Sequence, residues 1–229
     1  MPRWAYAPYE NRTITGAVHR TMDASVPDLA KIVNFGIGLE NGTHYPWSPS
    51  TPVPVEVELA VRRHYFAAIT FMDAQVGKVL AALSSLGLAE TTVVIFHADH
   101  GYFQGEDGEW EKKMLFENTA RVPLIIYDPT NPTHRRSTEL VELIDVFPTA
   151  AVLAGFGMPA NLDGVSLAPL MGSRYSDYTD EERTASATKP AFTQYPRCHG
   201  TDSVDGTCLE VANTDFKFMG YSVRTQGKS

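Results

Sequence analysis

Asp99 and His100 set a carboxylate beside an imidazole, and Lys112 adds an ammonium a short loop further on. Carboxylate oxygen and imidazole nitrogen are both ligands for a divalent cation, provided the backbone turns sharply enough to aim them at one point. Gly101 permits such a turn, and Gly105 and Gly108 keep the following loop free to bend. Each residue also has a plainer reading: Asp99 and His100 as a hydrogen-bonded pair at a loop entrance, Lys113 as a solvated lysine, Trp110 as a packing residue. Tyr102 is a candidate pocket wall.

The element that must position them is the run Thr92-Val93-Val94-Ile95-Phe96, immediately upstream. It is β-branched and aromatic, too short for a helix, and reads as a strand covered on both faces of a sheet. In open α/β sheets ligands bind at the carboxyl ends of strands, where His97, Asp99 and His100 fall. A second apolar run, residues 122–127, returns the chain to the sheet, and the two are expected as neighbouring buried strands.

The order of motifs carries a resemblance. Ala98-Asp99-His100-Gly101, then Gly105-Glu106-Asp107-Gly108-Glu109-Trp110-Glu111-Lys112, Leu115-Phe116-Glu117 and Arg121-Val122-Pro123-Leu124-Ile125 resemble the sulfatases of the alkaline phosphatase superfamily, in particular their iduronate-2-sulfatase branch. Further matches fall at residues 65–83, 139–155, 194–197 and 219–225, so the resemblance covers most of the chain after about residue 50. It implies an α/β fold: a sandwich of helices around a central mixed, largely parallel sheet, followed by a small antiparallel C-terminal subdomain. Residues 1–185 would be part of the main domain, and residues 186–229 the beginning of the subdomain.

The resemblance also implies a chemistry. Asp99 and His100 carry over to positions that help hold Ca2+, with further acidic ligands from near the family's amino-terminal strand. Lys112 carries over to the lysine that contacts the substrate sulfate, with Tyr102 and Lys113 as secondary candidates. The substrate would be a sulfated carbohydrate, such as a glycosaminoglycan. Related phosphodiesterases use an Asp-His-Gly with zinc, so the dipeptide alone does not fix the metal. Sulfatases further need a Cys-x-Pro-Ser-Arg type motif, whose cysteine becomes the formylglycine nucleophile. Here Cys198 is followed by His199-Gly200-Thr201 and Cys208 by Leu209-Glu210-Val211, and neither fits. The leading reading is a sulfuric ester hydrolase represented by an incomplete and inactive chain; the alternatives are a sulfatase-derived binding module without catalysis, or a metal-dependent phosphodiesterase relative.

Composition narrows the classes. Of 229 residues 43% are hydrophobic, enough for a substantial core, and the formal net charge of −8 disfavours a nucleic-acid-binding surface. No uninterrupted apolar run approaches 18 residues, so no membrane span is expected, and residues 1–10 lack the apolar core of a signal peptide. A secreted, lysosomal or periplasmic location would follow only from the family pattern. A disulfide between Cys198 and Cys208 is sterically possible, and Asn11-Arg12-Thr13 and Asn41-Gly42-Thr43 read as glycosylation acceptors.

Residues 1–55, rich in proline, are expected to be loops. Residues 55–87 switch to a helical pattern: Val57, Val61, Tyr65, Ala68, Ile69, Met72, Val76, Val79, Leu80 and Leu83 form an apolar stripe, with Glu58, Arg62, Arg63, Asp73 and Lys78 off it. This helix is expected to cover the sheet, with Gly87 ending it. A second helical pattern spans 138–154, kinked or restarted at Pro148. Residues 172–188 read as a solvated linker, and strand-like pieces follow at 191–195 and 216–224.

Overall fold

The longest element, helix α2 (Val55–Ser85), forms where the apolar repeat predicts it, and Gly87, at φ +69°, ends it in the left-handed conformation that favours glycine. The structure is a computed structural model and describes residues 1–27, 30–31, 36–38, 44–46, 52–131, 134–172, 178–179, 184, 188–197 and 218–226. The Cys198–Cys208 pair, the second glycosylation acceptor and most of the 172–188 stretch lie outside these residues.

The chain divides into two compact units: residues 1–83, 100–121 and 194–220 form the first, and 84–99, 122–193 and 221–229 the second.

In the first unit, helix α1 (Arg3–Glu10) occupies a segment expected to be loop. Its sequence has no long periodic stripe; aromatic contacts hold it to α2 instead. Trp4 lies 5.9 Å from Phe71, Tyr6 4.9 Å from His64 and Tyr9 5.8 Å from Phe66, and the Tyr9 hydroxyl is 2.8 Å from Thr70 Oγ1. Strands β1 (Gly36–Gly38) and β2 (His44–Pro46) pair antiparallel. A small core of Val53, Phe103, Trp110 and Met114 gathers Val57, Val61 and Phe116 around it, with Phe103 and Phe116 edge to face at 6.3 Å.

The polar and apolar sides of α2 do not sort as its stripe predicts. Glu58, expected on the solvent side, is 1% exposed. Its Oε2 accepts from Arg20 Nε at 2.9 Å, its Oε1 accepts from the Ala17 amide at 2.5 Å, and Arg62 Nε lies 3.3 Å from Oε1. Arg20 also donates to the Val53 carbonyl, and Arg62 to the Gln104 carbonyl and to Glu106. A carboxylate can be buried at tolerable cost when it is both ion-paired and hydrogen-bonded, which periodicity cannot reveal. Conversely Ile69, Met72, Val79 and Leu80 of the stripe are exposed, Val79 by 68%. An 18-residue window of α2 reaches a mean hydropathy of 1.4. By length and composition alone this helix could span a membrane, a property missed by counting only uninterrupted apolar runs.

In the second unit, β3 (Val94–His97) and β6 (Leu124–Tyr127) are neighbours, as expected, but antiparallel: Val94 faces Tyr127 and His97 faces Leu124. Among the described residues no parallel pair occurs, so the expected central, largely parallel sheet is not seen. A parallel return requires a crossover, usually a helix, and residues 98–123 hold no helix longer than the four-residue α3 (Glu117–Ala120), with a 3-10 turn (Glu106–Gly108) and a short antiparallel ladder, β4 (Phe103–Gln104) with β5 (Trp110–Glu111). Nor are these strands covered on both faces: β6 alternates half-buried and exposed, with Ile125 60% exposed. Apolar runs mark strands, but a run read alone does not say how many faces are covered.

The second helical pattern yields only α4 (Val146–Leu153), with Pro148 in its first turn, where its missing amide has no intrahelical bond to make. A 3-10 turn, Leu143–Asp145, leads into it. Strands β7 (Ala191–Arg197) and β8 (Phe218–Arg224) pair as a two-stranded sheet where strand-like pieces were expected.

In this second unit the fully buried Asp145 is the hub of a polar clamp. Its Oδ1 accepts from Lys189 Nζ at 2.7 Å and the Val165 amide at 2.9 Å, and its Oδ2 accepts from the Glu142 amide at 2.8 Å. Lys189 also donates to Glu142 at 2.8 Å, whose other oxygen accepts from the Phe192 amide. Burial alone would lower the lysine's pKa, but the hydrogen bonds and charges of Asp145 and Glu142 outweigh it and raise the pKa.

Candidate functional site

His100 opens the central segment of the first unit, and its backbone is fixed by close packing. The Gly101 amide donates to the Thr119 carbonyl at 2.8 Å, and a Cβ on residue 101 would collide with the Asn118 carbonyl of α3. Gly101 is therefore needed because two backbones touch there, rather than for a left-handed turn. Gly105 and Gly108, by contrast, do have positive φ, at +100° and +76°.

The half-buried His100 has a defined tautomer. Its Nδ1 lies 2.9 Å from the Gly101 carbonyl, which can only accept, so Nδ1 carries the proton. Nε2 is then a lone pair, and it accepts from Lys112 Nζ at 2.9 Å. Lys112 itself is exposed, so its ammonium can meet a ligand from solvent. It is aimed back at His100 by a strained turn: Glu111, directly before it, has φ +69°, uncommon for a residue with a side chain. The loop beneath is anchored by Trp110, 2% exposed, and by Glu109, which is fully buried. Trp110 thus packs the loop, as its plainer reading had it.

Tyr102 packs against Tyr65 with ring centroids 5.7 Å apart. Burial, then the nearby charge of Glu111, then Tyr65, push its phenol up to about 12, so it remains a neutral hydrogen-bond donor across the physiological range. Sequence reasoning placed Tyr65 only on an apolar helix face; nothing in a separation of 37 residues signals the contact. Lys113 is half-buried and engaged in interactions of its own. Asp99, which ends the first segment of the second unit, is exposed.

The geometry thus joins His100 to Lys112 and Tyr102 to Tyr65. The donor set does not complete a cation site. Among the described residues no group of three or more His, Cys, Asp or Glu side chains converges, and the Nε2 lone pair a metal would use accepts from Lys112. What the arrangement offers chemically is an exposed ammonium, held by a neutral imidazole, on a rigid loop.

Comparison with known proteins gives this loop its context. The sulfatase family matches residues 5–156, and a second family, described as the C-terminal part of N-sulphoglucosamine sulphohydrolase, matches residues 105–226. The chain belongs to the sulfatase family. Among its relatives, iduronate 2-sulfatase of Homo sapiens is 32% identical, an alignment covering 77% of this chain and 38% of that protein. Arylsulfatase K of Bos taurus is 29% identical over 71% of this chain and 29% of its own length. Among solved structures, the phosphonate monoester hydrolase of Silicibacter pomeroyi superposes with a TM-score of 0.60 at 23% identity, covering 75% of this chain and 32% of that one. That likeness supports the α/β sulfatase fold. The chain spans well under half the length of these curated relatives.

Proposed function

We propose that the chain supplies part of the sulfate pocket of a sulfuric ester hydrolase acting on sulfated sugars, of iduronate-2-sulfatase type. The observation that carries this reading is the 2.9 Å contact between Lys112 Nζ and His100 Nε2, which holds an exposed ammonium in one direction on a loop whose motifs are those of the family. In it Lys112 contacts the sulfate oxygens and offsets their charge, with Tyr102 as a neutral wall and Lys113 in support. By family Asp99 and His100 would be two of the ligands of a divalent cation, calcium, a role that requires His100 Nε2 to exchange its contact with Lys112 for the ion. Two ligands leave most of calcium's six to eight positions to water, so affinity for the ion is poor. Residues 1–185 belong to the main domain in this reading, and 186–229 open a C-terminal subdomain.

The nucleophile comes from a Cys-x-Pro-Ser-Arg motif, which this sequence does not contain. Electrostatic stabilisation without a nucleophile supports binding but not covalent catalysis. The purified chain is therefore expected to hydrolyse neither an aryl sulfate nor a sulfated iduronate disaccharide, while binding inorganic sulfate weakly and losing that binding in Lys112→Ala. Turnover that depends on Lys112 would mean a nucleophile is present and overlooked; sulfate binding untouched by Lys112→Ala would remove the pocket. A specific observation, the absence of the nucleophile motif, also favours the second reading of a non-catalytic sulfatase-derived binding module. Supplying the missing family segment in trans separates the two, since only the first reading then yields hydrolysis.

A further inference from the structure

Beyond strand β6 the second unit carries an open cleft of about 480 Å³. Its apolar wall is Ile125, Tyr127 and Met171, and its rim is the consecutive triplet His134, Arg135 and Arg136. The turn beneath is firmly built. Asp128, 6% exposed, accepts from the Thr130 amide at 2.9 Å and the Thr130 hydroxyl at 2.6 Å, and Asn131 Nδ2 donates to the Met171 carbonyl at 2.8 Å. The Asp128 side chain is thus occupied with its own turn. His134, Arg135 and Arg136 are exposed, and among the described residues none of them has an ion-pair or hydrogen-bond partner. Asp128 lines the same cleft but forms no ion pair with the arginines among the described residues, so in a chain of net charge −8 two neighbouring guanidinium groups against one carboxylate leave the rim locally positive.

We propose that this cleft binds a sulfated oligosaccharide. Arginine presents a planar fork of donors suited to the oxygens of sulfate-like anions. The half-open faces of Tyr127 and Ile125, 45% and 60% exposed, offer the flat apolar surface that the C–H face of a sugar ring covers. The cleft serves a different point on the ligand from Asp99. Because Ile125 pairs with Phe96 and Tyr127 with Val94, the cleft runs along β6 and on to the Asp128–Asn131 turn beside the amino-terminal end of β3, whereas Asp99 follows the carboxyl end of β3. The choice of sulfate over other anions rests on the proposed function; the cationic cleft does not.

The test is calorimetric titration of the full chain with a sulfated tetrasaccharide, against Arg135→Ala/Arg136→Ala. Both side chains are exposed, so the double variant should unfold at the parent's temperature, and its binding should weaken at least tenfold with a shallower salt dependence. Tyr127→Ala should weaken it about threefold. Unchanged affinity in the double variant would overturn the proposal. So would equal affinity for the desulfated tetrasaccharide, or for a short single-stranded DNA of equal charge, the latter marking a general anion patch. Repeating the arginine substitutions in a Lys112→Ala background separates this proposal from the sulfate-pocket reading. The tenfold difference should persist there, and it would persist even if Lys112 proved to have no role in sulfate binding.

Discussion

Each unit holds a buried carboxylate in an ion-paired clamp, and the two clamps are built in opposite ways. In the first, Glu58 is met by two arginines that each keep another acceptor: Arg20 the Val53 carbonyl, Arg62 the Gln104 carbonyl and Glu106. In the second, Asp145 shares a single lysine with Glu142 and spends its remaining capacity on backbone amides. Arginine stays charged at any attainable pH, whereas lysine can lose its proton. The first clamp is thus redundant and insensitive to alkali, and the second is economical and exposed to it.

Substitutions can break this contrast in order of effect. Asp145→Ala should cost the most, about 4 kcal/mol, because it removes one partner of a buried pair and strands the Val165 and Glu142 amides. Urea unfolding followed by circular dichroism measures it, and a loss below that of Glu58→Ala would reverse the comparison. Glu58→Ala should cost about 3 kcal/mol, cushioned because both arginines retain acceptors.

Lys189→Met should cost less, about 2 kcal/mol at neutral pH, through the acceptors left behind. It also sharpens the contrast through pH. The folded pKa of Lys189 is raised above its ordinary 10.5, so its contribution is complete below that value and is lost as pH rises through the folded pKa. Parent stability should fall above pH 10.5 by more than that of Lys189→Met; parallel curves would refute the coupling. The smallest effect at neutral pH belongs to Tyr102. Its phenol is also raised, but chiefly by burial rather than by partners. Ultraviolet titration should show one tyrosine ionising near 12 that disappears in Tyr102→Phe, with the associated stability lost between the ordinary value of 10.0 and 12.

The sequence made the candidate site legible because its members lie close together along the chain. His100, Tyr102 and Lys112 sit on one loop, flanked by motifs whose order resembles the sulfatases, and the loop folds locally. Neither clamp was legible. Asp145 reaches Val165 and Lys189, and Glu58 reaches Ala17 and Arg20, across separations that no local pattern marks. The strand runs were found but not their direction, since an apolar run has the same composition whichever way its neighbour points. α1 escaped because aromatic contacts with α2 hold it, and those residues do not repeat at helical spacing.

The exposed stripe on α2 also decides how the isolated chain behaves in bulk solution. Ile69, Met72, Val79 and Leu80 show to water the surface an ordinary soluble domain keeps inside. Apolar attraction weakens on cooling. A concentrated preparation should therefore scatter little light in the cold and turn cloudy on warming well below its unfolding temperature, with a clouding point that shifts with protein concentration.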